Sequence, residues 1–294
     1  MKRVILALLV VILMTSSTYG QVEETLETYA KENAKGYLQP FVSGVGTSMN
    51  RGWYQTADVP TFGLTVRVGF VSMLAPFTDS DRTFLATTQP PFEPTKTVSA
   101  PTVVGSEQAK PVEGQAGTTF YFPGGFDLEQ TGFIVPQVTV GSFLGTAATV
   151  RFMKFQYNEA YIDELLVTGL GVRHNLDQYI PLLPIDIAAG VFWQSLTIND
   201  DLLTFNTLHY GVQASRQVGP LDFYGGVGFD QSTVDIKYTF SSDEEAVDYN
   251  LSMDGENGMQ VTLGLGFDLF LVHLNAGLSF GNRTVYTAGA FLGL

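Results

Sequence analysis

Cysteine is absent from the chain, which excludes both a disulfide scaffold and a lipid-anchored lipoprotein. Charge is scarce as well: Asp, Glu, Lys and Arg make up 15% of the residues, where about 25% is usual for a soluble domain. Of the two signs the basic one is rarer, 15 Lys and Arg against 29 Asp and Glu, so nucleic acid is not an expected partner. Long apolar runs are missing beyond the N-terminus. No later segment offers the ~20 uninterrupted apolar residues of a transmembrane helix, so membrane residence would have to be achieved with strands.

The first twenty residues place Lys2 and Arg3 before an apolar run from Val4 to Met14, with small Thr18 and Gly20 at the end. This reads as a secretory signal peptide over residues 1–20, cleaved after Gly20. Its removal leaves 13 Lys plus Arg against 29 Asp plus Glu, a formal charge of −16. Residues 21–36 follow as a short amphipathic helix, with Val22, Leu26, Tyr29 and Ala30 at helical spacing and an end near Gly36.

What the sequence does hold is alternation. From Met259 to Leu269, Met, Val, Leu, Leu, Phe and Leu point one way while Gln260, Thr262, Gly264, Gly266 and Asp268 point the other. An apolar row opposed by small and polar residues is what a strand needs when lipid solvates one face and a wet interior the other. The same division recurs in Ile185–Trp193, Leu208–Ala214, Leu221–Phe229 and Tyr286–Leu294. Their opposite faces carry residues such as Gln194, Gln213 and Asn275, together with bulky Phe192, Tyr224 and Phe291. The fold class is all-β: a transmembrane antiparallel up-and-down barrel over residues 37–294, located in the bacterial outer membrane.

Strands are expected at Tyr37–Gly46, Phe62–Val71 and in nine later segments starting at Phe133. Between them, residues 76–131 collect seven of the thirteen prolines and form a long irregular insert, a possible lumen plug or a surface loop. With both barrel termini periplasmic, parity demands one more strand inside the insert. Thr118–Phe122 is the best candidate, giving about 12 strands.

Candidate chemistry is sparse. Arg67, Arg151, Arg173 and Arg216 set against Asp186, Asp222, Asp230 and Asp268 are expected to face the lumen, as a charge filter or as simple ion pairs. His174, His209 and His273 are expected to face the lumen or its rim, and His273 with Asn275 and Ser279 loosely offers triad-type residues on one face. Any polar-in strand places such residues together, and a hydrated lumen residue is the favoured reading, so no enzyme and no catalytic residue are expected. The acidic loop Ser241–Gly258 lacks calcium-loop spacing, and neither metal nor cofactor is expected. Trp53, Tyr54, Tyr157, Tyr161, Tyr179, Trp193 and Tyr238 are candidates for interfacial aromatic belts.

The segments Y-A-K-E-N-A-K-G-Y-L-Q-P-F (Tyr29 to Phe41) and G-W-Y-Q-T-A-D-V (Gly52 to Val59), with the glycine-rich C-terminal half, resemble an uncharacterised bacterial family with a domain of unknown function. More loosely, the N-terminal helix and strand pattern are similar to the FadL-like long-chain fatty-acid transporter superfamily. That likeness implies a plugged barrel passing hydrophobic molecules. Passive transport of a small solute is the leading expectation, with membrane lipid as the surrounding partner. A non-conducting structural or adhesion barrel, binding through its extracellular loops, is the alternative.

Overall fold

The computed structural model describes residues 31–89, 92–159, 162–180, 182–199, 202–241 and 246–293. The signal segment and residues 21–30 of the expected short helix lie outside that set.

Ten antiparallel strands close on themselves. In chain order they are β1 (Thr65–Pro76), β6 (Gln130–Phe143), β7 (Thr146–Glu159), β8 (Ile162–Asn175), β9 (Asp186–Ile198), β10 (Leu203–Val218), β11 (Leu221–Ser241), β13 (Gly258–Leu269), β14 (Val272–Phe280) and β15 (Val285–Gly293). Each pairs with its neighbour, and β1 pairs with β15 from Arg67↔Gly293 to Leu74↔Tyr286, which closes the ring. β11 is long enough to run past the wall and pair there with β12 (Ala246–Asp254).

The nine strands expected after Phe133 are all present, with ends within three residues of the sequence reading. Their facing is also as expected: Val68, Phe70, Phe152, Leu170, Val191 and Leu263 are exposed on the outside, whereas Gln137, Arg151, Gln194 and Gln260 are buried inside. Apolar residues outside and polar residues inside reverse the order of a water-soluble core. No helix among the described residues is long and apolar enough to cross a membrane.

Two expectations about the N-terminal third need correcting. Residues 37–46 are not a strand; they belong to helix α1 (Lys31–Met49). The buried residues Ala34, Tyr37, Leu38, Val42, Val45 and Met49 recur at helical spacing. Pro40 and three glycines disfavour a helix locally, and tertiary contacts override that preference. The strand count falls with it. Thr119–Phe122 is a strand, β5, but it pairs with β4 (Lys110–Glu113) in a separate two-stranded sheet and contributes nothing to the wall. Losing both expected strands lowers the count by two and keeps it even, so the barrel has ten strands instead of about 12.

One end of the barrel, here the mouth, carries the 77–129 insert and the β11–β12 extension. The opposite end, the rim, carries the turns at residues 144–145, 176–185, 219–220 and 270–271. The insert folds as two hairpins, β2 (Thr83–Thr87) with β3 (Thr97–Pro101) and β4 with β5. They cover the start of α1: Asn33 Nδ2 donates to the Thr87 carbonyl at 2.8 Å, and the Thr87 amide donates back to Asn33 Oδ1 at 3.1 Å. The Val103 amide donates to the Tyr37 carbonyl at 2.9 Å. Within the cap, Phe120 packs edge-on against both Phe92 and Phe122. Arg283, between β14 and β15, ties the cap down by donating to Asp81 Oδ1 at 2.6 Å while meeting Glu256 Oε2 at 3.2 Å. Burial pushes the Asp81 carboxyl up, but hydrogen bonds from Arg283 and Thr78 outweigh it and hold the group below its ordinary 3.8.

Candidate functional site: the threaded lumen

Barrels of eight strands leave an interior just wide enough for their own side chains. Ten strands leave more, and here the chain itself occupies the room. α1 starts under the cap at the mouth and ends at Met49 beside Arg151. Residues 50–60 continue downward without regular structure, and at the rim the Gly63 carbonyl accepts from the Ser142 amide at 3.0 Å before β1 turns back up. The N-terminal segment therefore runs the whole length of the lumen, and the insert sits over its entrance.

Close approach makes this possible. A Cβ on Gly46 of α1 would lie 2.6 Å from Ser232 Oγ, and one on Gly169 of β8 would lie 2.8 Å from the Trp53 ring. Glycine on the helix in one case, and on the wall in the other, lets the two surfaces meet.

The segment is pinned by charge. Arg51 donates through both terminal nitrogens to the Asp230 carboxylate of β11, one at 3.1 Å and the other in closer contact. His209 Nδ1 on β10 lies 2.7 Å from the same carboxylate. All three residues are buried. Arg151 of β7 makes the second pin: it donates to Gln137 Oε1 and Gln194 Oε1, each at 2.9 Å, and to the Arg51 carbonyl at 2.8 Å. Its guanidinium sits 3.8 Å from the centroid of the Trp53 ring, whose far neighbour is Phe192 at 5.3 Å. Lower down, Arg173 donates to the Thr56 carbonyl, Ser215 Oγ accepts from the Ala57 amide at 2.9 Å, and Asn175 donates to the Val59 carbonyl at 2.9 Å. Six wall strands thus hold one irregular segment mainly through polar contacts.

The eight lumen charges named from sequence fare differently. Arg151, Arg173 and Asp230 hold the threaded segment. Asp222 is buried. Asp186 Oδ2 accepts from Ser215 at 3.5 Å, and Asp268 accepts from His273 at 2.7 Å near the rim. Arg67 is half-buried on the inner face of β1. Arg216 is exposed on the face it shares with Tyr210 and Val212, so it points outward and leaves the set. No ion pair among the described residues joins an arginine of that set to one of its aspartates. Asp230 instead pairs with Arg51, which sequence reasoning missed because 37–59 was taken for wall and turn.

Trp53 and Tyr54 also belong inside: Trp53 is 1% exposed and Tyr54 packs on Tyr224, so neither forms a belt, whereas Trp193 does face outward. Side chains of Tyr157, Tyr161 and Tyr238 lie outside the described residues, as do those of residues 241–249 in the acidic loop Ser241–Gly258. The triad types do not assemble: His273 Nδ1 faces Asp268 and Ser279 Oγ lies 2.8 Å from Thr262 Oγ1. No group of three metal-ligating side chains that could hold an ion is found among the described residues.

A closed, ten-stranded antiparallel barrel with an apolar exterior and a threaded polar lumen is the class these observations define. The chain matches the family of unknown function DUF6588 over residues 1–294 and belongs to it, in agreement with the resemblance of the segments around Tyr29 and Gly52. No curated protein matches. Solved structures that overlap it include OmpT, an outer membrane protein of Vibrio cholerae in its trimer form, at 10% identity over 79% of this chain and 100% of that one, TM-score 0.29. The attachment invasion locus protein Ail of Yersinia pestis, in complex with the heparin analogue sucrose octasulfate, overlaps at 10% identity over 79% and 97%, TM-score 0.24. The translocator domain of the autotransporter NalP from Neisseria meningitidis overlaps at 11% identity over 90% and 98%, TM-score 0.33. These superpositions carry no argument about this chain's activity.

Proposed function

We propose that this chain is an outer-membrane barrel that passes a small solute when its own N-terminal segment shifts in the lumen. The rim, three of whose four connections are two residues long, faces the periplasm, and the mouth, which carries the long insert, faces outward. The observation that carries the reading is the character of the boundary between segment and wall. A permanent core would be apolar and fully satisfied. This boundary is built on Arg51–Asp230, Arg151–Gln137–Gln194 and main-chain carbonyls. Trp53 Nε1, Gln194 Nε2 and Gln213 Oε1 are buried along it without a protein partner among the described residues. Groups of this kind exchange their partners for water at modest cost when the segment slides, and they line a polar path once it has slid. A polar solute suits that lining better than the hydrophobic cargo implied by the FadL-like resemblance.

The alternative is a non-conducting barrel whose mouth binds partners. It is favoured by the continuous apolar packing that joins the cap, α1 and β1, including Tyr37, Val42, Met73 and Phe122. Single-channel recording of the refolded protein in planar bilayers tests both. Silence in the wild type with conductance steps in a variant lacking residues 31–60 supports the displaceable segment, provided Asp230→Ala opens intermittently. Silence in all three supports the non-conducting barrel.

A further inference from the structure

The two ends of the barrel differ in a way that transport does not require. At the mouth, the tight connections between wall strands carry Asn199, Asn282 and Arg283, and the exposed Leu85 and Tyr121 belong to the cap. At the rim the connections carry bulky apolar residues held out from the protein: Leu182 is 99% exposed, Phe270 90%, Phe62 80% and Phe143 79%. Leu182 and Phe270 adopt left-handed backbone, with φ of 67° and 53°, as does the exposed Leu144 at 50°. Asn or Gly takes that conformation with less strain, and the side chains gain no packing within the chain to offset it.

These residues sit before β1 and between β6 and β7, β8 and β9, and β13 and β14, so they are spread around the circumference. They continue the outward apolar rows of the same strands, for example Leu265, Phe267 and Leu269 leading into Phe270. Where the barrel closes, Leu64, Val66, Val68, Leu271, Leu292 and Gly293 line an open groove of about 490 Å³ on the outer wall. That volume lies within the range of small-molecule pockets and its walls are almost wholly apolar.

We infer that the rim is seated in the lipid interface and that the groove at the β1–β15 seam takes one acyl chain of a bilayer phospholipid. The inference rests on the membrane reading above. Lipid is the occupant because the apolar surface is continuous with the lipid-facing wall and encircles the barrel, as a solvent does and a one-sided protein partner does not.

Because the chain has no cysteine, single labels report cleanly. Trp193→Cys, on the outer wall, and Phe270→Cys, on the rim, each carry an environment-sensitive fluorophore in phosphatidylcholine vesicles containing lipids spin-labelled at shallow or deep chain positions. Both labels are expected to lose most of their emission, position 193 to the deep quencher and position 270 to the shallow one. Quenching at neither position overturns the membrane reading itself. Quenching at 193, with 270 dark only to aqueous iodide, overturns the rim seat alone and points to a protein partner below the barrel. For the groove, native mass spectrometry of detergent-released protein is expected to show one retained phospholipid in the wild type and its loss in the apolar double variant Val66→Phe, Leu292→Phe. Equal retention in the two, or none in the wild type while the membrane labels behave as expected, overturns the acyl-chain site.

Discussion

Replacing Asp230 with alanine strands Arg51 in the lumen without its carboxylate. Breaking a buried pair by removing one partner typically costs about 3–5 kcal/mol, because the remaining charge stays desolvated. Here the cost falls on the threaded state alone, since a displaced segment leaves Arg51 in water. Taking the lower end, about 3 kcal/mol at about 1.4 kcal/mol per decade shifts the threaded–displaced balance by about a hundredfold. Arg51→Ala should shift it less, because His209 remains 2.7 Å from the Asp230 carboxylate and continues to serve it. The double variant Arg51→Met, Asp230→Leu, which replaces the pair by apolar side chains, should return most of the closure. Open probability in planar bilayers reads all three variants, with heat-modifiable electrophoretic mobility confirming that each barrel has folded. Equal open probability in folded Asp230→Ala and wild type would refute the claim that this pair pins the segment.

Gly169→Leu should destabilise the closed barrel by about 1–3 kcal/mol, read as a lower thermal midpoint, because even a Cβ there would lie 2.8 Å from the Trp53 ring. An unchanged midpoint would mean that Trp53 is not seated against β8. The cap should loosen in acid. Asp81 is held below its ordinary 3.8, so its contribution is complete above that value and disappears as the pH falls through the depressed one. Limited proteolysis should therefore cut the insert faster only below about pH 4, and Asp81→Asn should remove that dependence. In intact cells, an impermeant maleimide should label Glu32→Cys, exposed at the mouth, and spare Gln217→Cys, exposed at the rim. The reverse pattern would invert the proposed orientation.

The wall was legible because its signal repeats. Nine strands from Phe133 onward each present the same apolar-out, polar-in division, and turn residues such as Val218-Gly219-Pro220 set their lengths. The threaded segment was not legible, for a local reason. Phe41, Ser43 and Val45 alternate with Val42, Gly44 and Gly46 as a strand would, and Pro40 speaks against a helix. Only the surrounding wall, which buries Val42, Val45 and Met49, selects the helix. Arg51 carried no signal of its own, since its partner lies 179 positions away. The insert's prolines marked irregularity correctly but could not say that the irregular chain lies over the lumen and not within it.

The closing pair β1–β15 joins the two extremes of the barrel's sequence, and the threaded segment leads directly into β1. The last strand therefore cannot dock until almost the whole wall has been made, and when it docks it encloses a segment synthesised before any of it. The finished barrel accordingly surrounds an internal length of its own chain, as a sleeve surrounds a rod. The finished object retains a direction: its rod is tethered at the rim through residues 60–64 and held at the mouth by the apolar packing of the cap and by contacts such as Asn33–Thr87 and Tyr37–Val103. Travel toward the rim needs those contacts and the lumen pins, Arg51–Asp230 among them, to break, so the cap acts as a ratchet pawl and the rim side is where the rod can go.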